Sequence, residues 1–240
     1  MTDDRRGFIE RLLAGSAIAA GLTGATDAHA AGIPGLPAAG SDRGDLKPLA
    51  NTRWDLSWIK RIRGKQRAVF DNPGVDGTGV IRAWIWLNQC RAAFGAKDGD
   101  CGSVVVLRHA GVTLAMNDAS WERWEFQATN PENGKREAMK KNPMLRESVA
   151  KMMSGSPPSA KAMAEGMGLE SLIERGAIVL GCEFAFEGLV AQIAKKEGVE
   201  ADKAGELARG GLMPGITLVP SGFFALQVAQ HRGCTFVTHA

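Results

Sequence analysis

Four side chains in this sequence have types and positions suited to chemistry: Cys182, Arg108, His109 and Ser221. A cysteine thiolate is a strong nucleophile, an arginine binds anions, and a histidine exchanges protons near neutral pH. Cys182 closes an apolar run and comes directly before a segment with helical spacing, so the positive end of a helix dipole would favour its thiolate. A small buried residue packed at a strand end is an equal alternative.

The other three candidates each have an ordinary structural interpretation as well. His109, beside Arg108, suits a hydrogen-bonded structural histidine. Ser221 stands between Pro220 and Gly222 in the manner of a nucleophile, but the chain lacks G-x-S-x-G and a suitable downstream Asp and His order. We therefore interpret Ser221 as a helix N-cap. A hydrolase using Ser221 and a histidine is the disfavoured third hypothesis.

The elements that would position these residues alternate between strands and helices. Continuous apolar runs predict strands buried on both faces, and apolar residues at helical spacing predict helices. The predicted strands are 67–70, 103–107, 112–116, 177–181, 216–219 and 233–237. The predicted helices include 80–94, one that ends with 171–175, 184–194 and one that carries 223–228. Shorter helices are predicted around Leu207, around Trp121 and Trp124 after an Asp118 N-cap, and around Trp54 and Trp58. This order predicts a single three-layer α/β domain, with a mostly parallel sheet flanked by helices.

The predicted topology brings the candidate residues to one edge of the sheet. Ligands of open parallel sheets bind beyond the carboxyl ends of the strands, where loops and helix N-termini converge. Arg108 and His109 follow one predicted strand, Cys182 the next clear one, and Ser221 a third. We therefore expect Arg108, His109 and Ser221 to be binding residues around a reactive Cys182.

The N-terminal 50 residues have the composition of an export signal and a linker. Residues 1–30 contain Arg5-Arg6, an apolar stretch rich in Ala and Gly, and Ala28-His29-Ala30, which is the pattern of a twin-arginine signal peptide. We expect cleavage after Ala30 and a periplasmic or otherwise exported protein; an uncleaved amphipathic helix is the alternative. The apolar stretch is too short for a stable membrane span. Residues 31–50 are predicted to be a flexible tether, and 51–240 the domain.

Composition and cysteine spacing exclude several function classes. Lys plus Arg outnumber Asp plus Glu by only 29 to 26, and the excess is spread along the chain, so nucleic acid is not an expected partner. The four cysteines form no C-x-x-C and no Cys/His cluster, so we expect neither a metal site nor a cofactor. Cys90 and Cys101 are candidates for a disulfide, but pairing that includes Cys234 stays open.

A polar segment with several prolines and an Asn-Gly pair interrupts the alternation at 128–158. Such a composition is typical of an irregular or partly helical insertion. The insertion is either a lid or a solvated excursion.

The chain resembles the DsrE/DsrF-like family in several of its segments. The resemblance covers about residues 66–126 and 170–238. The segments that carry it are Val104–His109, Arg175–Cys182, Leu212–Gly222, Gln230 and Gly233–Phe236. It implies a small α/β domain that usually assembles into homo-oligomers, either trimers or hexamers. Some relatives accept sulfur as a persulfide on one cysteine and pass it on in sulfur oxidation or tRNA thiolation, and Cys182 matches that cysteine in position.

Two function hypotheses follow from these residues. In the first, Cys182 holds a persulfide, Arg108 and His109 stabilise the anion, and the protein works with a sulfur donor or acceptor protein. In the second, the protein is a non-catalytic oligomeric module, and the pocket at the strand ends binds a small ligand or a partner.

Overall fold

The core of the protein is a sheet of five parallel strands with helices on both faces. In this computed structural model, the described residues are 52–130, 133–164 and 166–237. The predicted signal peptide and tether lie outside them. No helix in these ranges is both long enough and apolar enough to cross a membrane.

The strands occur in the spatial order β6-β5-β2-β1-β7, and every neighbouring pair is parallel. A separate antiparallel hairpin is formed by β3 and β4. The strands are β1 Gln66–Asn72, β2 Cys101–Leu107, β3 Gln127–Thr129, β4 Arg136–Ala138, β5 Ile178–Cys182, β6 Ile216–Val219 and β7 Thr235–Val237. The prediction of a three-layer α/β fold is therefore confirmed.

Each face of the sheet has its own apolar core. The side chains of a strand alternate between the two faces, so Val105 and Leu107 enter one core while Val104 and Val106 enter the other. This double burial explains the unbroken apolar run of β2. The helices are α1 Trp58–Arg61, α2 Thr78–Phe94, α3 Asp118–Trp124, α4 Arg146–Met152, α5 Pro158–Ala164, α6 Leu169–Glu174, α7 Glu183–Glu197, α8 Ala201–Gly210 and α9 Gly222–His231.

The predicted strand at 112–116 is wrong, because His109–Ala115 is a 3-10 helix. Four of its residues, Gly111, Val112, Leu114 and Ala115, are buried. When a short segment is apolar at almost every position, its hydrophobic periodicity cannot distinguish a strand from a helix. The backbone N–H of Gly111 donates to the carbonyls of Arg108 and Pro73, which winds the chain into a turn directly after β2.

Two predicted helix starts also need correction. Asn117, and not Asp118, is the N-cap of α3, because its side-chain oxygen accepts the Ser120 N–H at 2.9 Å. Asp118 is the first helical residue. Trp54 and Trp58 do not share a helix face, since α1 begins only at Trp58. Trp58 is fully buried, whereas Trp54 is half-buried beneath the Arg53 guanidinium.

The segment at 128–158 contains regular structure and is anchored to the core. It includes β4 and α4, and its anchor is the fully buried Asn142. The Asn142 amide donates to the Leu114 and Met116 carbonyls at 2.8 Å each, and its oxygen accepts the Met144 N–H at 3.0 Å. These bonds satisfy backbone groups of the 3-10 helix and of the residue after it, which lie directly beneath the carboxyl edge of the sheet.

Candidate functional site

The four candidate residues from the sequence line one cleft at the carboxyl edge of the sheet. The cleft has a volume of about 660 Å³ and lies beside the ends of β2, β5 and β6. Arg108 and His109 follow β2, Cys182 ends β5, and Ser221 comes two residues after β6. The parallel order of the strands is what brings these distant positions together.

Cys182 joins a strand to a helix without a loop. It is the last residue of β5 and the N-cap of α7, its backbone is extended, and its side chain caps no backbone group. The residue is 6% exposed and contributes to the lining of the cleft together with Phe184 and Ala185 from the first turn of α7. The N–H groups at the start of a helix have no intrahelical acceptor and attract anions. The adjoining Glu183 carboxylate is paired with Arg209 of α8.

Arg108 is held by a carboxylate that we did not predict from the sequence. Its Nε and Nη2 atoms donate to the two oxygens of Asp71, both at 2.6 Å, and the side chains are only 16% and 6% exposed. The hydrogen bond to Asp71 raises the pKa of Arg108, burial opposes this, and the charges of Asp71 and Cys182 raise it further. The guanidinium is therefore a fixed, paired cation near the thiol and not a free anion-binding group.

The sequence contained a signal for Asp71 that our prediction did not use. The predicted strand 67–70 is too short, because β1 continues through Asn72 and Asp71 is therefore buried inside the sheet at 5% exposure. The rule that places ligands at strand ends applies to β1 as well as to the strands we selected. A charged residue that closes an apolar strand therefore marks the same edge.

His109 has a strained backbone at the start of the 3-10 helix. Its φ of 48° lies in the left-handed region, which residues other than glycine rarely adopt. The imidazole lines the cleft and meets the ring of Phe223 edge-on, with 6.3 Å between the ring centroids. Strain of this kind is concentrated at functional sites, because the surrounding structure must hold it in place.

Ser221 is confirmed as a helix N-cap. Its hydroxyl oxygen accepts the Phe224 N–H at 3.1 Å at the start of α9. The following glycine is required by the site, since a Cβ on Gly222 would lie 2.8 Å from the Arg108 Cβ. The loop after β6 therefore supports the aliphatic part of Arg108 and closes one side of the cleft.

Replacing Ser221 by Ala is expected to lower the free energy of unfolding by about 1 kcal/mol, because α9 loses its cap. The alkylation rate of Cys182 should not change, since the Ser221 oxygen is already engaged by the backbone. Urea unfolding and iodoacetamide labelling measure the two effects, and Ser221→Thr, which keeps a neutral capping hydroxyl, is the control. A large loss of thiol reactivity with unchanged stability would favour a chemical role for Ser221.

The structure adds cleft residues that the sequence patterns did not indicate. Phe184 and Phe223 stand at the cleft with 77% and 66% of their surface exposed. Arg136 reaches the cleft from β4, and Lys196 from the last turn of α7. Lys196 is paired with Glu125. These residues come from elements that are distant in the sequence, so only the tertiary fold reveals them.

The other three cysteines are buried free thiols. Burial, followed by a hydrogen bond and the charge of Cys90, raises the pKa of Cys101 to about 11. Burial raises the pKa of Cys234 to about 11 as well, against a smaller opposing influence of Arg67. Cys90 and Cys101, which we considered as a disulfide, are therefore neighbouring reduced thiols here, and both Cys101 and Cys234 are protonated at neutral pH.

These raised pKa values predict a loss of stability at alkaline pH. Below about pH 9, Cys101 and Cys234 are protonated in both the folded and the unfolded protein. Between about pH 9 and 11 these thiols ionise in the unfolded chain but not in the folded one, so the free energy of unfolding decreases as the pH rises. Urea unfolding of wild type and Cys234→Ala, across that pH range, should show a smaller decline in the variant. Parallel declines would contradict the assignment to Cys234.

Neither a comparison with models of known protein families nor a search of curated proteins gives a match for this chain. Within the described ranges, no cluster of three or more His, Cys, Asp or Glu side chains has an arrangement that would hold a metal ion.

Proposed function

We propose that this protein accepts sulfur as a persulfide on Cys182 and passes it on. The observation that carries the proposal is the position of Cys182, which lies in an open cleft at the uncapped N-terminus of a 15-residue helix. A persulfide is an anion at neutral pH, and the first-turn N–H groups of α7 are suitable donors to it. The resemblance to the DsrE/DsrF-like family and the twin-arginine pattern extend the proposal to an exported homo-oligomer.

The proposed step is a transfer of sulfane sulfur without net oxidation. The Cys182 thiolate attacks the outer sulfur of a donor R–S–SH, and a bond forms between Sγ and that sulfur. The S–S bond of the donor breaks, and its electron pair leaves with R–S⁻. The proton of the transferred sulfur is released to water, which leaves an anionic persulfide beside Arg108 and the start of α7.

The contacts around Arg108 support a fixed electrostatic environment for this step. Because Asp71 holds the guanidinium on two bonds, the cation does not have to reorganise when negative charge develops at Cys182. An arginine guanidinium stays charged throughout the pH range in which thiols react, and the hydrogen bond to Asp71 raises the pKa of Arg108 further. His109 faces the same cleft and is available to stabilise the anion or to give a proton to the leaving thiolate.

The test is the intact mass of the protein after incubation with inorganic polysulfide. We expect wild type to gain sulfur in a form that a reductant removes, and Cys182→Ser to gain none. Cys234→Ser is the matched control, because it also removes one buried thiol but leaves the cleft unchanged. Sulfur uptake that persists in Cys182→Ser, or that is absent from wild type, would refute the persulfide role.

A second candidate function is a non-catalytic binding module, which the low exposure of Cys182 and the size of the cleft favour. In this case the cleft binds a small molecule or partner, and the cysteine only packs against it. Ligand binding should then survive Cys182→Ser, while the mass experiment shows no sulfur uptake in either protein.

A further inference from the structure

The cleft is far larger than sulfur transfer alone requires. Its volume is about 660 Å³, whereas a water molecule takes about 30 Å³ of liquid volume and a single sulfur atom is only somewhat larger than a water molecule. Clefts of several hundred Å³ typically bind organic molecules with many non-hydrogen atoms. The remainder of the cleft therefore has room for the carrier on which the sulfur arrives.

The cleft follows one face of α7 from end to end. Its lining residues on this helix recur every three or four positions, which places them along a single stripe. They are Cys182, Phe184, Ala185, Gly188, Leu189, Gln192, Ile193 and Lys196. With a rise of about 1.5 Å per residue, the stripe extends for about 21 Å away from the thiol.

A glycine in the middle of this stripe keeps the cleft open. Gly188 lies inside α7, where glycine is about 1 kcal/mol less favourable than alanine. Its φ is not positive, and a Cβ added to it would meet no atom within 4 Å. Neither backbone conformation nor close packing therefore requires glycine here, and the space that a larger side chain would fill is the cleft itself.

Three charged side chains line the cleft at the far end of the stripe, namely the cations of Lys196 and Arg136 and the carboxylate of Glu125. Lys196 lies in the last turn of α7, and its partner Glu125 lies beside the start of the β3–β4 hairpin. Arg136 enters the cleft from that hairpin and forms no ion pair within the described ranges. An anionic group bound here would be well separated from the sulfur that reacts at Cys182.

We infer that the sulfur donor is an elongated organic persulfide with an anionic group at the end remote from its sulfur. This inference rests on the proposed persulfide role of Cys182. The reacting sulfur lies at Cys182, the neutral body of the carrier lies along Ala185, Gly188 and Leu189, and the anion contacts Arg136. Gly188 determines which donors the cleft accepts, because the absence of a side chain at this position leaves room for the body of the carrier.

The test uses three donors that differ in length and charge. Coenzyme A persulfide carries sulfur on an extended arm that ends in phosphates, pantetheine persulfide has the same arm without them, and inorganic polysulfide has no arm. We expect wild type to react about fivefold faster with coenzyme A persulfide than with pantetheine persulfide, which is the effect of one screened charge-assisted contact. Equal rates would overturn the anionic end of the inference.

Two pairs of variants locate the binding. Gly188→Leu should slow both long donors about tenfold more than it slows inorganic polysulfide. Gly205→Leu, at a helical glycine equally free of close neighbours and outside the cleft, should not change the relative rates of the three donors. Arg136→Gln should remove the preference for coenzyme A persulfide, and Lys135→Gln, on the adjacent residue outside the cleft, should retain it. Equal slowing of polysulfide by Gly188→Leu would overturn the inference.

A binding measurement separates the two proposals. Calorimetric titration of coenzyme A and of pantetheine into Cys182→Ser reports occupation of the cleft without any sulfur transfer. If no donor transfers sulfur to wild type, the persulfide role is refuted. If coenzyme A still binds to Cys182→Ser more tightly than pantetheine does, the cleft nevertheless binds an elongated anionic ligand. If polysulfide transfers sulfur to wild type but coenzyme A does not bind to Cys182→Ser, only the inference about the elongated donor is refuted, and the persulfide role remains.

Discussion

Replacing Asp71 by Asn lowers the free energy of unfolding by about 3 kcal/mol, because it leaves the largely buried side chain of Arg108, only 16% exposed, without its counter-charge. The pair is held by two hydrogen bonds of 2.6 Å at the ends of the adjacent strands β1 and β2, so the substitution weakens a contact that joins these strand ends. Urea unfolding followed by tryptophan fluorescence measures the change. A loss below about 0.5 kcal/mol, the range of ordinary surface substitutions, would contradict the importance of the pair.

The double variant Asp71→Asn with Arg108→Met provides the control. Both charges are then absent, and neutral side chains of similar size occupy the site, so most of the lost stability should return. The double variant also removes the cation near Cys182 without leaving an unpaired carboxylate. Its alkylation rate at Cys182 should therefore fall about tenfold, because the thiolate loses a nearby cation. An unchanged rate would show that Arg108 does not assist the thiolate.

Replacing Gly111 by Ala is expected to lower the free energy of unfolding by about 3 kcal/mol, the upper end of the usual effect of overpacking. The added Cβ would lie 2.3 Å from the backbone oxygen of Asn72 and 3.0 Å from that of Gly74. Both obstacles are backbone atoms, so the 3-10 helix itself has to move. This movement would shift Arg108 and His109, and the reactivity of Cys182 should decline with it.

Gly155→Ala is the matched control for Gly111→Ala. A Cβ at Gly155 meets no atom within 4 Å, and its φ is not positive, so this substitution should change stability by less than about 0.5 kcal/mol. Urea unfolding gives the stabilities, and iodoacetamide labelling gives the reactivity of Cys182. Wild-type stability of Gly111→Ala would mean that the strand-end loop adjusts freely around the extra methyl group.

The sequence was most informative where one local pattern determined the outcome. The apolar runs of β2 and β5 predicted strands buried on both faces, and the strand-end rule selected Arg108, His109, Cys182 and Ser221, which the fold brings to one cleft. The N-cap at Ser221 followed from its position between a strand and a helix. For the two strands and the N-cap, the physical cause lies in residues that are neighbours in the sequence.

The sequence was less informative where contacts between distant segments decide the structure. The Asp71 carboxylate meets Arg108 across 37 positions, and Asn142 reaches 28 positions back to Leu114. The position of Asp71 at the end of an apolar strand is a local signal, but no local pattern shows which residue either side chain pairs with. The error at 112–116 has the same cause, because burial among other elements and the turn at Gly111 determine a 3-10 helix that an apolar run cannot specify.

The direct junction of β5 and α7 also affects the thermodynamics of binding at Cys182. Because the residue belongs to the end of a buried strand and to the start of a long helix, its backbone has little conformational entropy to lose when a ligand arrives. The entropic cost of association then falls on the ligand, and rigid ligands should bind with a smaller penalty than flexible ones. The thiol is in this sense preorganised before any ligand is bound.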